Sequence, residues 1–277
     1  MSEITKDYTI IEAGKEEKNY WQDLFVYREL FYFLAWRDVL VRYKQTIIGI
    51  IWCIIKPLLL MIVFTIIFGK LAKFPSDGVP YAILVYTALL PWQFYATSLT
   101  DSSNSLISNT NMVSKIYFPR IIIPTSSIIV NLFDFVISFL ILLVLMIYYQ
   151  FVPSWTILTV PFFLFIAILN TLGSGLWLSA INVKYRDVKY IVPFIIQLGL
   201  YISPVGFNSS IIPEQWRLIY SLNPMAGVID GFRWAILGNE TQIYMPGFIL
   251  SCFVIILIFV TGIWYFRKTE RTFADII

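Results

Sequence analysis

The sequence has few charged residues and no histidine. Of its 277 residues, 58% are hydrophobic and only 13% are charged, which is about half of the ~25% charged share of a soluble domain. A soluble globule of this size could not cover its surface with so few polar side chains, so lipid must be part of its solvent. The absence of histidine also removes the commonest general base and the commonest metal ligand. These shortages favour an integral membrane protein over a soluble enzyme.

Cysteine and catalytic motifs are equally scarce. Cys53 and Cys252 both lie inside apolar runs, so we interpret them as small hydrophobic side chains and not as a disulfide or metal framework. Gly14 and Gly69 are each followed by lysine but lack the rest of a G-x-x-x-x-G-K-[ST] phosphate loop, and the sequence has no HExxH or GxSxG signature. We therefore name no catalytic and no metal-binding residue. Any work driven by ATP would need a second polypeptide.

Long apolar runs are abundant. A membrane-crossing helix needs about 20 predominantly apolar residues. Six segments meet this need, and we predict an all-α integral membrane protein in which they form a transmembrane domain over residues 47–266. The six segments are residues 47–68, 81–99, 121–149, 155–181, 190–207 and 246–266.

Positive charge is distributed asymmetrically about these spans. Six crossings place 15 of the 20 Lys and Arg residues on one side of the membrane, and positively charged loops stay in the cytoplasm. The N-terminal tail, residues 1–20, and the C-terminal tail, residues 267–277, are therefore both expected in the cytoplasm, with the protein in the cytoplasmic membrane. The N-terminal tail lacks an apolar core behind a basic start, so we expect no cleaved signal peptide.

Three further segments have the composition of helices that do not span. Residues 21–46 alternate aromatic and basic side chains at helical spacing, which predicts an amphipathic helix in the membrane interface; a helical lead-in to the first span is the alternative. Residues 101–118 are polar and helix-compatible, so they could dock a soluble partner or be an idle connector. Residues 208–240 hold apolar pieces too short to span, which favours re-entrant helices over a soluble loop.

The fifth predicted span carries an aromatic and polar stripe. Tyr190, Phe194, Gln197, Tyr201 and Pro204 fall within about 80° of one another on a helix with 100° per residue. Lipid offers no hydrogen-bond partner to a phenol hydroxyl or an amide, so the stripe faces either another helix or an aqueous path. Because aromatic rings stack on sugar faces, we interpret it as the wall of a channel for sugars.

The third predicted span contains Asp134, an ionisable residue that needs a partner or water at this depth. Lys56 lies at a similar depth and is our candidate partner. We interpret Asp134 as half of a structural ion pair; a proton relay of a secondary transporter is the alternative. In the fourth span, Gly173 and Gly175 belong to a run of small residues, which predicts close helix packing.

In their order along the chain, several fragments resemble the permease subunit of type-2 ABC exporters for polysaccharides, the O-antigen exporter family. The resemblance runs from about residue 20 to the end of the chain, through RDVLVRYKQTIIGIIWCIIKP, KIYFPRIIIP, INVKYRDVKYIVPF, YISPVGF and LNPMAGVIDGFRWAILG. It implies a homodimeric permease that exports a glycan linked to a polyprenyl diphosphate, O-antigen in the first instance. It also implies two copies of a nucleotide-binding ABC subunit, which would hold ATP and Mg. This chain would contact membrane lipid and would bind neither a cofactor nor nucleic acid.

The resemblance also implies roles for individual residues. The substrate channel would be lined by Trp52, Tyr190, Phe194, Gln197 and Tyr201. The pyrophosphate of the lipid carrier would approach Arg37, Arg42 and Lys44, whose alternative role is ordinary positive-inside topology. Coupling to the ATPase would involve Asp101, Ser102, Asn104, Ser105 and Asn109. The gate region would include Pro213, Trp216, Asn223, Pro224 and Arg233.

Other functions remain open at this level. The same class of transporter could carry teichoic acid, capsule or a small molecule. A membrane-embedded transferase is a more remote alternative, since it would need a cluster of carboxylates or a nucleophile near one interface, and the sequence does not point to one.

Overall fold

The computed structural model describes residues 20–44, 47–76, 78–238 and 241–273, and the regular structure of this part is entirely helical. A π-helical turn, Thr65–Leu71, extends α3, and 3-10 turns at Trp155–Thr159 and Ser209–Ile211 precede α7 and α9. The α-helices are α1 Tyr20–Val26, α2 Arg28–Lys44, α3 Ile47–Phe64, α4 Tyr81–Ser108, α5 Thr110–Lys115, α6 Ile122–Tyr148, α7 Val160–Lys184, α8 Val188–Ile202, α9 Glu214–Tyr220, α10 Pro224–Leu237 and α11 Met245–Glu270.

Some predictions fall on residues outside this part. The predicted N-terminal tail, residues 1–20, lies outside it apart from Tyr20, and so do the last four residues of the tail 267–277. The side chain of Cys53 is also outside the described part, whereas Cys252 is half-buried and carries no disulfide.

Within the described residues, four helical stretches are long and apolar enough to cross a membrane. They are Ile54–Leu71, Ile122–Tyr148, Trp155–Lys184 and Met245–Glu270. Two of the six predicted spans do not meet this measure. Helix α8 has only 15 residues, and α4 has 28 but carries many polar side chains in its second half.

Helix α4 is the centre of the bundle, which explains its composition. Its residues from Ile83 to Leu89 are fully buried, and it packs against α3, α6, α7, α8 and α10. A helix enclosed by other helices meets little lipid, so polar side chains such as Ser98 and Ser102 are tolerated along it. A measure based on hydrophobicity alone therefore leaves out α4, although α4 is the central helix of the bundle.

Helices α7 and α11 approach each other closely through glycines. A Cβ added at Gly173 would lie 2.6 Å from the Cα of Phe259, and one added at Gly262 would lie 2.3 Å from the carbonyl oxygen of Gly173. Two residues further along, on the other side of α7, a Cβ at Gly175 would lie 2.6 Å from the Oγ of Ser102 on α4. The small residues of α7 therefore serve close packing, as their density predicted.

The N-terminal helix has two apolar faces. The predicted helix over 21–46 is divided at Tyr27 into α1 and α2. Leu34 and Val39 of α2 are buried where this helix packs on α6. Phe33 and Trp36, on a different side of α2, are exposed. Such a helix can contact both the bundle and lipid.

Candidate functional site

The stripe predicted on the fifth span lies on an open side of α8. Four of its residues are exposed: Tyr190 (69% of its surface), Phe194 (61%), Tyr201 (60%) and Gln197. We call these four residues the aromatic face of α8. The aromatic face is therefore not packed between helices of the same chain.

The opposite side of α8 holds the helix on the bundle. Val188 and Val192 are buried, and a Cβ at Gly199 would lie 2.7 Å from the indole of Trp92 on α4. At 100° per residue these positions lie roughly 180° from the aromatic face. Helix α8 ends at Ile202 and not at residue 207 as predicted, because Pro204 disfavours the helical conformation at Ser203, whose ψ is 153°.

A second site lies where α2 meets α4 and α6. Arg42 of α2 forms ion pairs of 2.8 Å with Asp101 of α4 and with Asp134 of α6. Its guanidinium also donates to Asn131 Oδ1 at 2.8 Å, Asn131 donates to Asp101 at 2.9 Å, and the Tyr43 hydroxyl donates to Asp134. We call these five residues the Arg42 cluster. The fork of the guanidinium is what lets one side chain join two carboxylates on separate helices.

Electrostatics favour this arrangement. Burial alone would lower the pKa of Arg42, but the negative charges of Asp134 and Asp101 outweigh that effect and raise its pKa above the usual value. Arg42 is therefore firmly cationic, and its charge is offset by the two carboxylates around it.

The Arg42 cluster borders a cavity of about 270 Å³ between α2, α3, α4 and α6. Trp52 and Lys56 line the same cavity, together with Gln93 and Ser138. The charged residues of its lining are Arg42, Lys56 and Asp134, and Asp101 adds a second carboxylate beside Arg42. The cavity is thus lined by both polar and aromatic side chains.

Two expectations about Asp134 need correction. Its ion-pair partner is Arg42, not Lys56, which makes no ion pair with the described residues. The sequence does not reveal this pair, because Arg42 lies 92 positions from Asp134 in a segment whose composition is that of an interface helix. The structure also brings two carboxylates together, Asp101 and Asp134, where the sequence did not point to a cluster; both bind the guanidinium of Arg42.

The three cations predicted to meet a lipid pyrophosphate are in different environments. Arg42 is held by its cluster. Arg37 pairs with Asp38 at 2.8 Å and donates to Asn109 Oδ1 at 3.2 Å. Lys44 is exposed and makes no ion pair among the described residues. Only Lys44 therefore offers an uncompensated charge, and the role of all three stays a prediction.

The residues predicted for ATPase coupling mostly point into the bundle. Helix α4 continues to Ser108, so Ser102 and Ser105 are buried within it. Asn104 Oδ1 accepts from Asn182 of α7 at 3.2 Å. The exposed positions come later in the chain, between 107 and 117. We call residues 107–117, which include α5, the docking segment.

The predicted gate region forms two short helices, α9 and α10. Asn223 caps α10 by accepting from the Met225 amide at 3.1 Å and donates to Ser203 at 2.9 Å. Arg233 is 1% exposed and donates to the carbonyls of Val205 and Phe207 at 3.1 and 2.7 Å. These bonds fix α10 to the chain that follows α8, and Pro224 begins α10. We call residues 208–221, which include the 3-10 turn and α9, the α9 hairpin; its Pro213 and Trp216 are exposed.

A bundle with four helical stretches long and apolar enough to span a bilayer is the architecture of a multi-pass membrane protein. The chain belongs to the ABC-2 type transporter family, whose pattern it matches over residues 29–237. It is therefore a multi-pass membrane protein of that family, in which the described α-helices form the bundle.

Similar proteins include two permeases of O-antigen export. The chain is 30% identical over 248 residues to the O-antigen export system permease protein RfbA of Klebsiella pneumoniae, covering 87% of this chain and 92% of that protein. It is 27% identical over 256 residues to RfbA of Myxococcus xanthus, covering 92% and 97%. It is 20% identical over 257 residues to the polysialic acid transport protein KpsM of Escherichia coli, covering 85% and 91%.

Proposed function

We propose that this chain is the permease subunit of an ATP-driven ABC exporter that moves a polyprenyl-diphosphate-linked polysaccharide, O-antigen in the first instance, across the cytoplasmic membrane. The similarity to O-antigen export permeases over most of both chains supports this function. The observation that carries it is the exposed aromatic face of α8, whose rings and amide suit the faces and hydroxyls of sugars.

The exposure of that face also supports a homodimer. In a single chain within a bilayer, Gln197 and the tyrosine hydroxyls would contact hydrocarbon, and a polar group there without a hydrogen bond costs roughly 2–7 kcal/mol. A second copy of the chain would cover this side of α8 and enclose a wet path between the protomers. In this arrangement α3, α4, α6, α7, α8 and α11 cross the membrane, α9 and α10 are re-entrant from outside, and both termini are cytoplasmic.

The energy would come from two copies of a separate nucleotide-binding subunit that carries ATP and Mg. The docking segment is the proposed contact for that subunit, since its exposed side chains lie at the end of the bundle that the charge distribution assigns to the cytoplasm. Closure of the partner subunits on ATP would push on this segment. The permease itself would do no covalent chemistry.

The function is tested with the triple variant Tyr190→Ala, Phe194→Ala, Tyr201→Ala in a strain that depends on this chain for surface glycan. We expect the variant to reach the membrane and bind its ATPase, while surface glycan falls strongly. The matched control replaces exposed aliphatic residues of the same helix, Ile191 and Ile195, with alanine. Normal surface glycan in the triple variant would contradict the channel wall.

A glycan of the polysialic acid type is the second candidate cargo, favoured by the similarity to KpsM. The two cargoes are separated by complementation. The chain is expressed with its own ATPase in strains that lack either an O-antigen permease or a polysialic acid permease. The strain in which surface polymer returns identifies the cargo class.

A further inference from the structure

A second cavity, of about 510 Å³, lies at the end of the bundle opposite the Arg42 cluster. It lies between the α9 hairpin, α10 and the beginning of α11. Its volume falls within the range of small-molecule sites, roughly 300–1,000 Å³. Groups that can bind a ligand line it: Arg217, Tyr220, Asp230, Thr241, Gln242 and Tyr244.

Thr241 offers a buried hydroxyl to a ligand in this cavity. The residue is 6% exposed, and its hydroxyl has no hydrogen-bond partner among the described residues. A buried polar group left in that state costs about 1–3 kcal/mol. A ligand hydroxyl in the cavity would supply the missing hydrogen bond.

Other polar groups of the cavity are held in position with binding capacity to spare. The Ser209 hydroxyl lies 2.5 and 2.6 Å from the two carboxylate oxygens of Asp230, which leaves further lone pairs of that carboxylate for a ligand. Arg217 donates from Nε and Nη2 to the carbonyls of Ile212 and Ser210 at 3.0 and 2.9 Å. Its orientation is therefore fixed, and the donors of Nη1 remain for a ligand.

The position of the cavity connects it with the aromatic face of α8. The Tyr220 hydroxyl donates to the carbonyl oxygen of Ile202 at 2.8 Å, and Ile202 is the last residue of α8, next to Tyr201. The cavity therefore begins where the aromatic face ends. A chain of sugars leaving α8 at its outer end would reach Tyr220 next.

The chemistry of the lining selects among possible occupants. Asp230 offsets the positive charge of Arg217, so the lining has no net charge to hold an anion such as a phosphate, and the many polar groups disfavour an acyl chain. A carboxylate, an amide, a guanidinium and tyrosine rings together suit a neutral ligand with several hydroxyls and an apolar ring face. We propose that this cavity is a saccharide-binding subsite at the outer end of the export path, which holds one unit of the polymer as it leaves the permease. This inference rests on the proposed function and adds a second sugar contact to it.

Occupancy is measured by chemical protection of a cysteine in the cavity. Gln242→Cys is placed in a chain with Cys53→Ala and Cys252→Ala, and spheroplasts are treated with a membrane-impermeant maleimide. Since the labelling rate follows the unoccupied fraction, we expect labelling to be about threefold slower in cells that make the polymer than in cells whose glycan synthesis is switched off. Glu214→Cys, exposed on α9 outside the cavity, is the control and should label equally in both.

Two substitutions then test the binding groups. Thr241→Val and Asp230→Asn, each combined with Gln242→Cys, should abolish the protection. Thr87→Val, which removes a buried unpartnered hydroxyl of α4, should leave it intact. Thr241→Val keeps the shape of the side chain, so it decides the test even if Asp230→Asn fails to reach the membrane.

The failures are distinguishable. If Gln242→Cys labels equally with and without polymer, while the parent chain still supports surface glycan in the same strain, the subsite is overturned and the proposed function stands. Protection that survives Thr241→Val would also overturn it. Loss of the proposed function would appear earlier, as a failure of the parent chain to support any surface glycan.

Discussion

Arg42→Gln removes the charge that joins α2 to α4 and α6, and its cost can be worked out from the contacts. The variant breaks the ion pairs to Asp101 and Asp134 and leaves two carboxylates close together. Breaking a fully buried pair costs about 3–5 kcal/mol, whereas exposed pairs contribute only about 0–1 kcal/mol. The side chains of Arg42, Asp101 and Asp134 are 30%, 34% and 20% exposed, so water replaces part of what is lost. We expect a loss of about 2 kcal/mol.

The assay is the thermal unfolding midpoint of the purified permease, with the double variant Arg42→Gln, Asp134→Asn completing a double-mutant cycle. The second substitution removes one stranded carboxylate, so the double variant should be more stable than the sum of the single effects, by about 1 kcal/mol. Lys44→Gln, an exposed position on the same helix, is the control and should change little. Additive single effects, or an Arg42→Gln protein as stable as the parent, would refute the cluster as a link between α2 and the bundle.

Three other predictions each concern one substitution. Gly173→Leu forces a side chain against the backbone of Phe259, so we expect at least about 1–3 kcal/mol of destabilisation and little folded protein by size-exclusion chromatography. Lys115→Glu in the docking segment should reduce co-purification of the ATPase subunit, whereas Ser102→Ala, buried inside the bundle, should not; equal co-purification would contradict the docking segment. Arg233→Met leaves the carbonyls after α8 without their donor and should lower the unfolding midpoint.

The sequence alone predicts which stretches are helical, but it is weaker on what each helix contacts. The apolar runs that become α6 and α11 are predicted within a few residues at most ends, because lipid-facing helices must be apolar all along. Helix α4 is longer than predicted, because enclosure by protein allows its second half to be polar. The bounds of α8 differ for a local reason, the restriction that Pro204 places on Ser203.

The candidate site divides in the same way. The aromatic face of α8 follows from helical periodicity, which the residues of one helix determine among themselves. The partner of Asp134 depends on how α2 packs against α6, and the periodicity of a single helix does not predict which helices pack together. A usable signal did exist, since Asp101, Asn131 and Asp134 are polar residues within or just after two predicted spans, and a guanidinium is the cation best suited to bind two carboxylates at once.

The uninterrupted length of α4 has a mechanical consequence. Its 28 residues make a rod of about 42 Å, so a tilt of about 5° displaces one end relative to the other by about 4 Å. One end adjoins the docking segment, and at the other the Tyr81 hydroxyl donates to the carbonyl of Gly206, just beyond α8. A small rocking of this single lever would therefore move the far end of the bundle without any helix having to unwind.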